Sequence, residues 1–122
     1  MPEKEKSGNN VAVLKIGSRE IPLRCTMLEL ADIEEQIGPL DSLKDLFLKG
    51  KRRVRNMAQA FTILGNAGLK ESGQAADLTA EWFLDNMEPG KLQGYQAVLI
   101  GVFLSKLGQE TEPDEDGNGS GE

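Results

Sequence analysis

From Val11 the chain alternates, with Val11, Val13 and Lys15 set against Ala12, Leu14 and Ile16 until Gly17-Ser18-Arg19-Glu20 supplies a turn and Ile21, Leu23 and Cys25 follow. A period of two predicts two short strands joined as a β-hairpin over residues 11–25. Pro22 has no amide to donate, which places the second strand at an edge. A lone hairpin is marginal in water, so this one must lie on the rest of the body.

The period then changes. Thr26-Met27-Leu28-Glu29 has the form of a capping box, in which a hydroxyl and a carboxylate satisfy the free amides of a helix start. Met27, Leu30, Ala31 and Ile37 are expected to form the apolar face of this first helix, with Asp32, Glu34 and Glu35 outside, and Gly38-Pro39 ends it. A shorter helix is expected over 42–48, capped by Asp41 or Ser42, with Leu43, Leu46 and Phe47 inward. Gly50 interrupts it.

The clearest stripe follows Lys51-Arg52-Arg53: Val54, Met57, Phe61, Leu64 and Gly68 recur at intervals of three and four along one side of a helix. Gly65 and Gly68 lie near its end, where they either permit close packing or mark fraying toward Lys70-Glu71-Ser72-Gly73. Thr79 caps a short helix containing Ala80, Phe83, Leu84 and Met87, and Glu88-Pro89-Gly90 closes it. The last helix, about 91–106, carries Leu92, Tyr95, Leu99, Val102 and Phe103 on one side; Val98, Ile100 and Leu104 widen that stripe until little is left to face water. Such a helix is either the centre of the core or partly an interface. Gly108 is the expected C-terminal cap.

These elements define a mainly α fold: a single small helical domain of four to five helices over 11–108, opened by the hairpin. Residues 1–10 and the acidic segment 109–122 lack apolar periodicity and are expected to be disordered. Of 122 residues, this leaves one ordinary domain with a respectable core. Between Val11 and Gly108 twelve basic and twelve acidic residues balance, so the net charge of -6 resides in Glu110, Glu112, Asp114, Glu115, Asp116 and Glu122. The isoelectric point therefore says little about what the body binds. The longest apolar run, Ala97 to Leu104, is far short of a membrane span of about 20 residues. A single cysteine and a charged start with no signal-peptide pattern lead to the expectation of a reducing cytosol.

Chemistry is sparse. The chain has no histidine, so it lacks the side chain that most readily exchanges protons near neutrality and commonly binds zinc. Cys25 alone makes no CxxC site and is expected to be an ordinary, partly buried residue. No phosphate loop is present, and Gly65-Asn66-Ala67-Gly68 lies within or at the end of the helical stripe. Asp114, Asp116 and Asn118 alternate as in a calcium loop, but the chain stops before a twelfth-position Glu. Glu34 and Glu35 diverge round their helix, and Asp41 and Asp45 have no catalytic partner in view. The expectation is a protein without enzymatic activity, cofactor or metal that works by binding.

Three candidates for that binding stand out. Lys51, Arg52, Arg53 and Arg55, beside Lys49, form a basic group suited to an acidic partner or phosphates, or simply to water. Trp82 either anchors an interface or packs in the core. Tyr95 is expected to bury its ring and keep its hydroxyl near an edge.

The order of features resembles the tail assembly chaperones of long-tailed bacteriophages, siphophage-like, and related prophages. The likeness lies in Ile21-Pro22-Leu23-Arg24-Cys25-Thr26, in Leu28-Glu29-Leu30-Ala31-Asp32-Ile33-Glu34-Glu35-Gln36-Ile37-Gly38, in Phe61-Thr62-Ile63-Leu64-Gly65-Asn66-Ala67-Gly68-Leu69 and in Leu78-Thr79-Ala80-Glu81. It is a pattern of apolar and turn residues over most of 11–107. What it implies is a small non-catalytic chaperone in the host bacterial cytoplasm, absent from the mature virion, that binds the tape measure protein and recruits tail tube subunits, with a homo-oligomer as a further option. In many such proteins a frameshift near the end of the reading frame yields a longer product, which here would depart after Gly108. Two other functions suit the residues: a small helical DNA-binding regulator, for which the basic group speaks and the lack of a recognition helix rich in Arg, Asn or Gln speaks against, and a structural tail completion or connector protein.

Overall fold

In the computed structural model, which describes residues 10–108, a two-stranded antiparallel sheet lies on five α-helices. Strand β1 (Asn10–Ile16) pairs with β2 (Arg19–Arg24), and Ile16 stands opposite Arg19. The loop is therefore only Gly17-Ser18. Arg19 and Glu20, expected in the turn, are the first residues of β2, because Gly17 takes a positive φ of 62° and turns the chain at once. Leu14, Ile16, Ile21, Leu23 and Cys25 share the buried face, while Val13 is 55% exposed on the other.

Helix α1 (Met27–Gln36) starts where its capping box predicts. The Glu29 carboxylate accepts from the Thr26 amide at 2.7 Å and from the Thr26 hydroxyl at 2.5 Å. Its inward face differs from the sequence expectation: Leu30, Ile33 and Glu29 are buried, Ile37 is half-buried, and Met27 and Ala31 face solvent. Met27 lies about 120° round the helix from Ile33, the residue that enters the core, so the first turn cannot present both. After Gly38-Pro39 a 3-10 turn (Leu40–Ser42) leads into α2 (Leu43–Leu48), which buries Leu43 and Phe47.

The spine is α3 (Arg53–Glu71), whose Met57, Phe61 and Leu64 are fully buried and whose Val54 is 37% exposed. The helix runs unfrayed through both glycines, and each has a packing partner. A Cβ on Gly68 would overlap the Pro22 carbonyl of β2, and one on Gly65 would sit 2.8 Å from Leu78 and 2.9 Å from Ile21. Bare backbone is what lets the hairpin settle on α3, and this outweighs the roughly 0.5–1 kcal/mol that each glycine costs a helix.

Beyond α3, the Asn66 side chain holds the segment leading into α4 at both Leu78 backbone groups, accepting from its amide at 2.9 Å and donating to its carbonyl at 3.0 Å. Helix α4 (Ala80–Asn86) is capped by Thr79, whose hydroxyl accepts from the Trp82 amide at 3.0 Å. A 3-10 turn (Pro89–Lys91) starts α5 (Leu92–Phe103), and the chain then widens into a π turn (Leu104–Gly108). Tyr95, Leu99, Val102 and Phe103 are buried, with Phe103 stacked on Phe47 at 5.7 Å. The remaining sides of α5 are less uniformly apolar in their setting than the stripe implied: Gln93, Gly94, Ala97 and Gly101 face solvent, Val98 and Ile100 are half-buried, and Leu104 is 53% exposed. The expected disorder at both termini concerns residues outside the described range, except Asn10, which begins β1.

Candidate partner-binding surface

At the junction of α2 and α3, Gly50 takes a positive φ of 86° and reverses the chain, bringing Lys49, Lys51, Arg52, Arg53 and Arg55 to the surface together. Polar contacts beneath them fix the geometry. Asn56 is buried and donates its side-chain amide to the Leu46 carbonyl at 3.1 Å, tying the end of α2 to the start of α3. Gln96 of α5 donates to the Phe47 carbonyl at 3.2 Å from the other side. Of the basic residues, Lys49 pairs with Asp45 at 3.6 Å and Arg53 reaches the Leu48 carbonyl at 3.4 Å. Lys51, Arg52 and Arg55 form no ion pair with any described carboxylate. The opening turn of α3 has no acidic residue and no side-chain cap, so Arg53 and Arg55 on it, and Arg52 at its cap position, work against the helix dipole.

The three sequence candidates separate in space. Trp82 is half-buried, edge-on to Phe83 at 5.1 Å, and the Arg19 guanidinium lies 5.2 Å above its ring. Arg19 in turn binds Asp77 at 3.0 Å, so Trp82 is covered by the start of β2 of its own chain. Tyr95 is buried and its hydroxyl accepts from the Glu88 amide at 2.9 Å. It forms the floor of an apolar groove of about 250 Å³ with Val54, Leu84, Met87, Pro89 and Leu92. Val54 lies between Arg53 and Arg55, so Tyr95 and the basic group adjoin through that residue, whereas Trp82 belongs to another part of the surface.

A second groove went unrecognised in the sequence. Leu40, Leu43, Ile100, Phe103, Leu104 and Leu107 line a cleft of about 220 Å³ between the start of α2 and the end of α5, with Asp41 and Lys44 at its rim. Leu104 and Ile100 were visible as excess apolar positions on the last helix; Leu40 was not, since it follows Gly38-Pro39 in what reads as a linker. A third, broader groove between α1 and α3 has Leu28, 64% exposed, and Ile63 among polar neighbours that include Arg24, Asp32 and Lys70.

Cys25 is fully buried at the end of β2, beyond the partial burial expected. Burial pushes its thiol up to about 11, the Glu29 carboxylate adds to the rise, and Lys106 opposes it. The thiol therefore stays protonated near neutrality and is a packing group rather than a nucleophile. Among the described residues no group of three or more His, Cys, Asp or Glu is placed to hold a metal ion, and no helix is long and apolar enough to cross a membrane. Compared with protein-family models, curated proteins and solved structures, the chain matches none.

Proposed function

We propose that this chain is a non-enzymatic assembly chaperone of a long-tailed phage or prophage, which binds the tape measure protein transiently and recruits tail tube subunits. The observation that carries the binding role is the cleft between α2 and α5. Six apolar residues line it, and Leu104 stands half in water at its edge. Such a cleft accepts side chains spaced three and four apart on an amphipathic helix, the form expected of a long helical client. The identity of the client comes from the resemblance noted in the sequence.

Co-expression with the tape measure and tail tube proteins, followed by pull-down, tests this directly. The wild-type chain is expected to retain the tape measure protein and Leu104→Glu to lose it, while keeping the wild-type circular dichroism. Association with neither protein would overturn the chaperone function.

The exposed, unpaired Lys51, Arg52 and Arg55 favour one other function, a DNA-binding regulator. Titration against duplex DNA over a range of salt separates the two. Tight association that weakens steeply with salt supports the regulator, and flat, weak binding excludes it.

A further inference from the structure

We infer that the outer edge of β1 pairs with the β1 of a second copy of this chain, antiparallel about Val13, to build a four-stranded sheet across a two-fold axis. The two-residue loop makes Ile16 and Arg19 a hydrogen-bonded pair, and bonding then alternates along the ladder. Lys15 opposite Glu20, and Val13 opposite Pro22, are therefore pairs that do not bond each other. Pro22 agrees with this phase: it has no N–H to give, and its carbonyl meets Gly68 of α3. The N–H and C=O groups of Val13 and Lys15 consequently point away from β2. Among the described residues they have no hydrogen-bond partner.

The two edges of the hairpin thus differ. That of β2 is closed by Pro22 and by α3, whereas β1 contains no proline and presents free backbone groups, the template that another strand needs. Beside this open edge runs a groove of about 390 Å³, between Val13, Leu14 and Lys15 of β1 and Gly94, Tyr95 and Val98 of α5. Its α5 wall is low. Gly94 and Gly101, two helical turns apart on one face, have open space where a Cβ would stand, and Ala97 between them is exposed.

Charge and register select the occupant. Lys15 and Lys91 at the rim are already paired, with Glu20 at 3.9 Å and with Glu88 at 3.6 Å, so the groove holds no excess charge to draw an acidic or a basic segment. The strand itself fits. Val13 is the middle residue of Asn10–Ile16, so antiparallel pairing about it matches the strand over its whole length. Val13 then stands opposite its own copy on the solvent side, and Ala12 opposite Leu14 on the core side. Lys15 falls opposite residue 11, whereas centring the pair on Lys15 would set like charges face to face. The irregularity of β1, between Asn10 and Ala12, lies outside the central three residues. No residue of this groove lines the α2–α5 cleft, so the dimer leaves both clefts open, whatever client they take.

Sedimentation of the full-length chain from about 10 μM to about 1 mM is the test. The mass is expected to rise from 13.3 kDa toward twice that value, and amide exchange at Val13 and Lys15 to slow as it does. Val13→Lys and Val13→Glu alter a side chain that is 55% exposed and are expected to keep the wild-type circular dichroism. Each is expected to weaken the dimer about fivefold, by placing like charges at the two-fold axis. An equal mixture of the two variants is expected to recover it, because opposite charges then meet there. A wild-type chain that stays at 13.3 kDa up to about 1 mM overturns the proposal and leaves the edge to an extended segment of another protein. A dimer that both variants leave unchanged, or a mixture no stronger than either variant alone, also overturns it by placing the contact elsewhere.

Discussion

The two ends of α3 are built for different tasks. Toward its C-terminus the helix loses its side chains at Gly65 and Gly68 so that β2 and Leu78 can press against bare backbone. Toward its N-terminus it carries Arg53 and Arg55 into water, and Asn56 alone among these polar residues is buried to hold α2 in place. One end is tightly packed and intolerant of added volume; the other is a charged surface resting on a single buried amide. A helix so divided concentrates cohesion where the hairpin sits and leaves the opposite end free to change its contacts.

The strongest way to break this contrast is Gly68→Val, which drives a branched side chain into the Pro22 carbonyl. It is expected to cost about 3 kcal/mol in urea unfolding, at the upper end of overpacking effects. A loss no larger than that from a change at the other end would erase the distinction. Next is pH. Because Cys25 in the folded chain holds its proton up to about 11 while an unfolded thiol releases it near 8.5–9, the unfolded state binds fewer protons between those values. Stability is therefore expected to fall by about 2 kcal/mol as pH rises from about 9 to about 11, and Cys25→Ala is expected to flatten that stretch of the curve. Third, Asn56→Ala leaves the Leu46 carbonyl without its donor and is expected to cost about 1–2 kcal/mol. Hydrogen exchange should quicken in α2 while the hairpin stays protected. Smallest of all, the double change Arg52→Gln and Arg55→Gln is expected to alter stability by about 0.5 kcal/mol or less while weakening binding to heparin at low salt. A large loss of stability would show that these cations hold the fold together.

What the sequence made legible was local. Thr26 with Glu29, Thr79, Gly38-Pro39 and Pro89 act within a few residues of themselves, and each marks its boundary within a residue or two. The stripe of α3 was readable for the same reason, as a period maintained along one helix. Misreadings arose where a distant partner decides the outcome. Met27 fits the α1 face by spacing, yet the core takes Leu30 and Ile33 and leaves Met27 in solvent. Gly68 could have frayed a helix, and only Pro22 on the hairpin turns it into a contact. For the surface, the basic group declared itself as consecutive residues and is exposed as a unit. The cleft did not, because Leu40 and Leu107 meet only through folding. Trp82, which composition made conspicuous, is covered by Arg19, a pairing with no trace in local pattern.

The meeting of Gly68 with Pro22 also sets a schedule. The two strands are translated first, but Ile21 and Leu23 have no cover until the stretch of α3 that ends near Gly68 has been made, roughly 45 residues later. At synthesis rates of about 5–20 residues per second, the hairpin waits about 2–9 s on the ribosome with an uncovered apolar face. Slowing translation across residues 25–68 lengthens that wait, so the yield of folded protein should depend on the pace of synthesis there more than anywhere later in the chain.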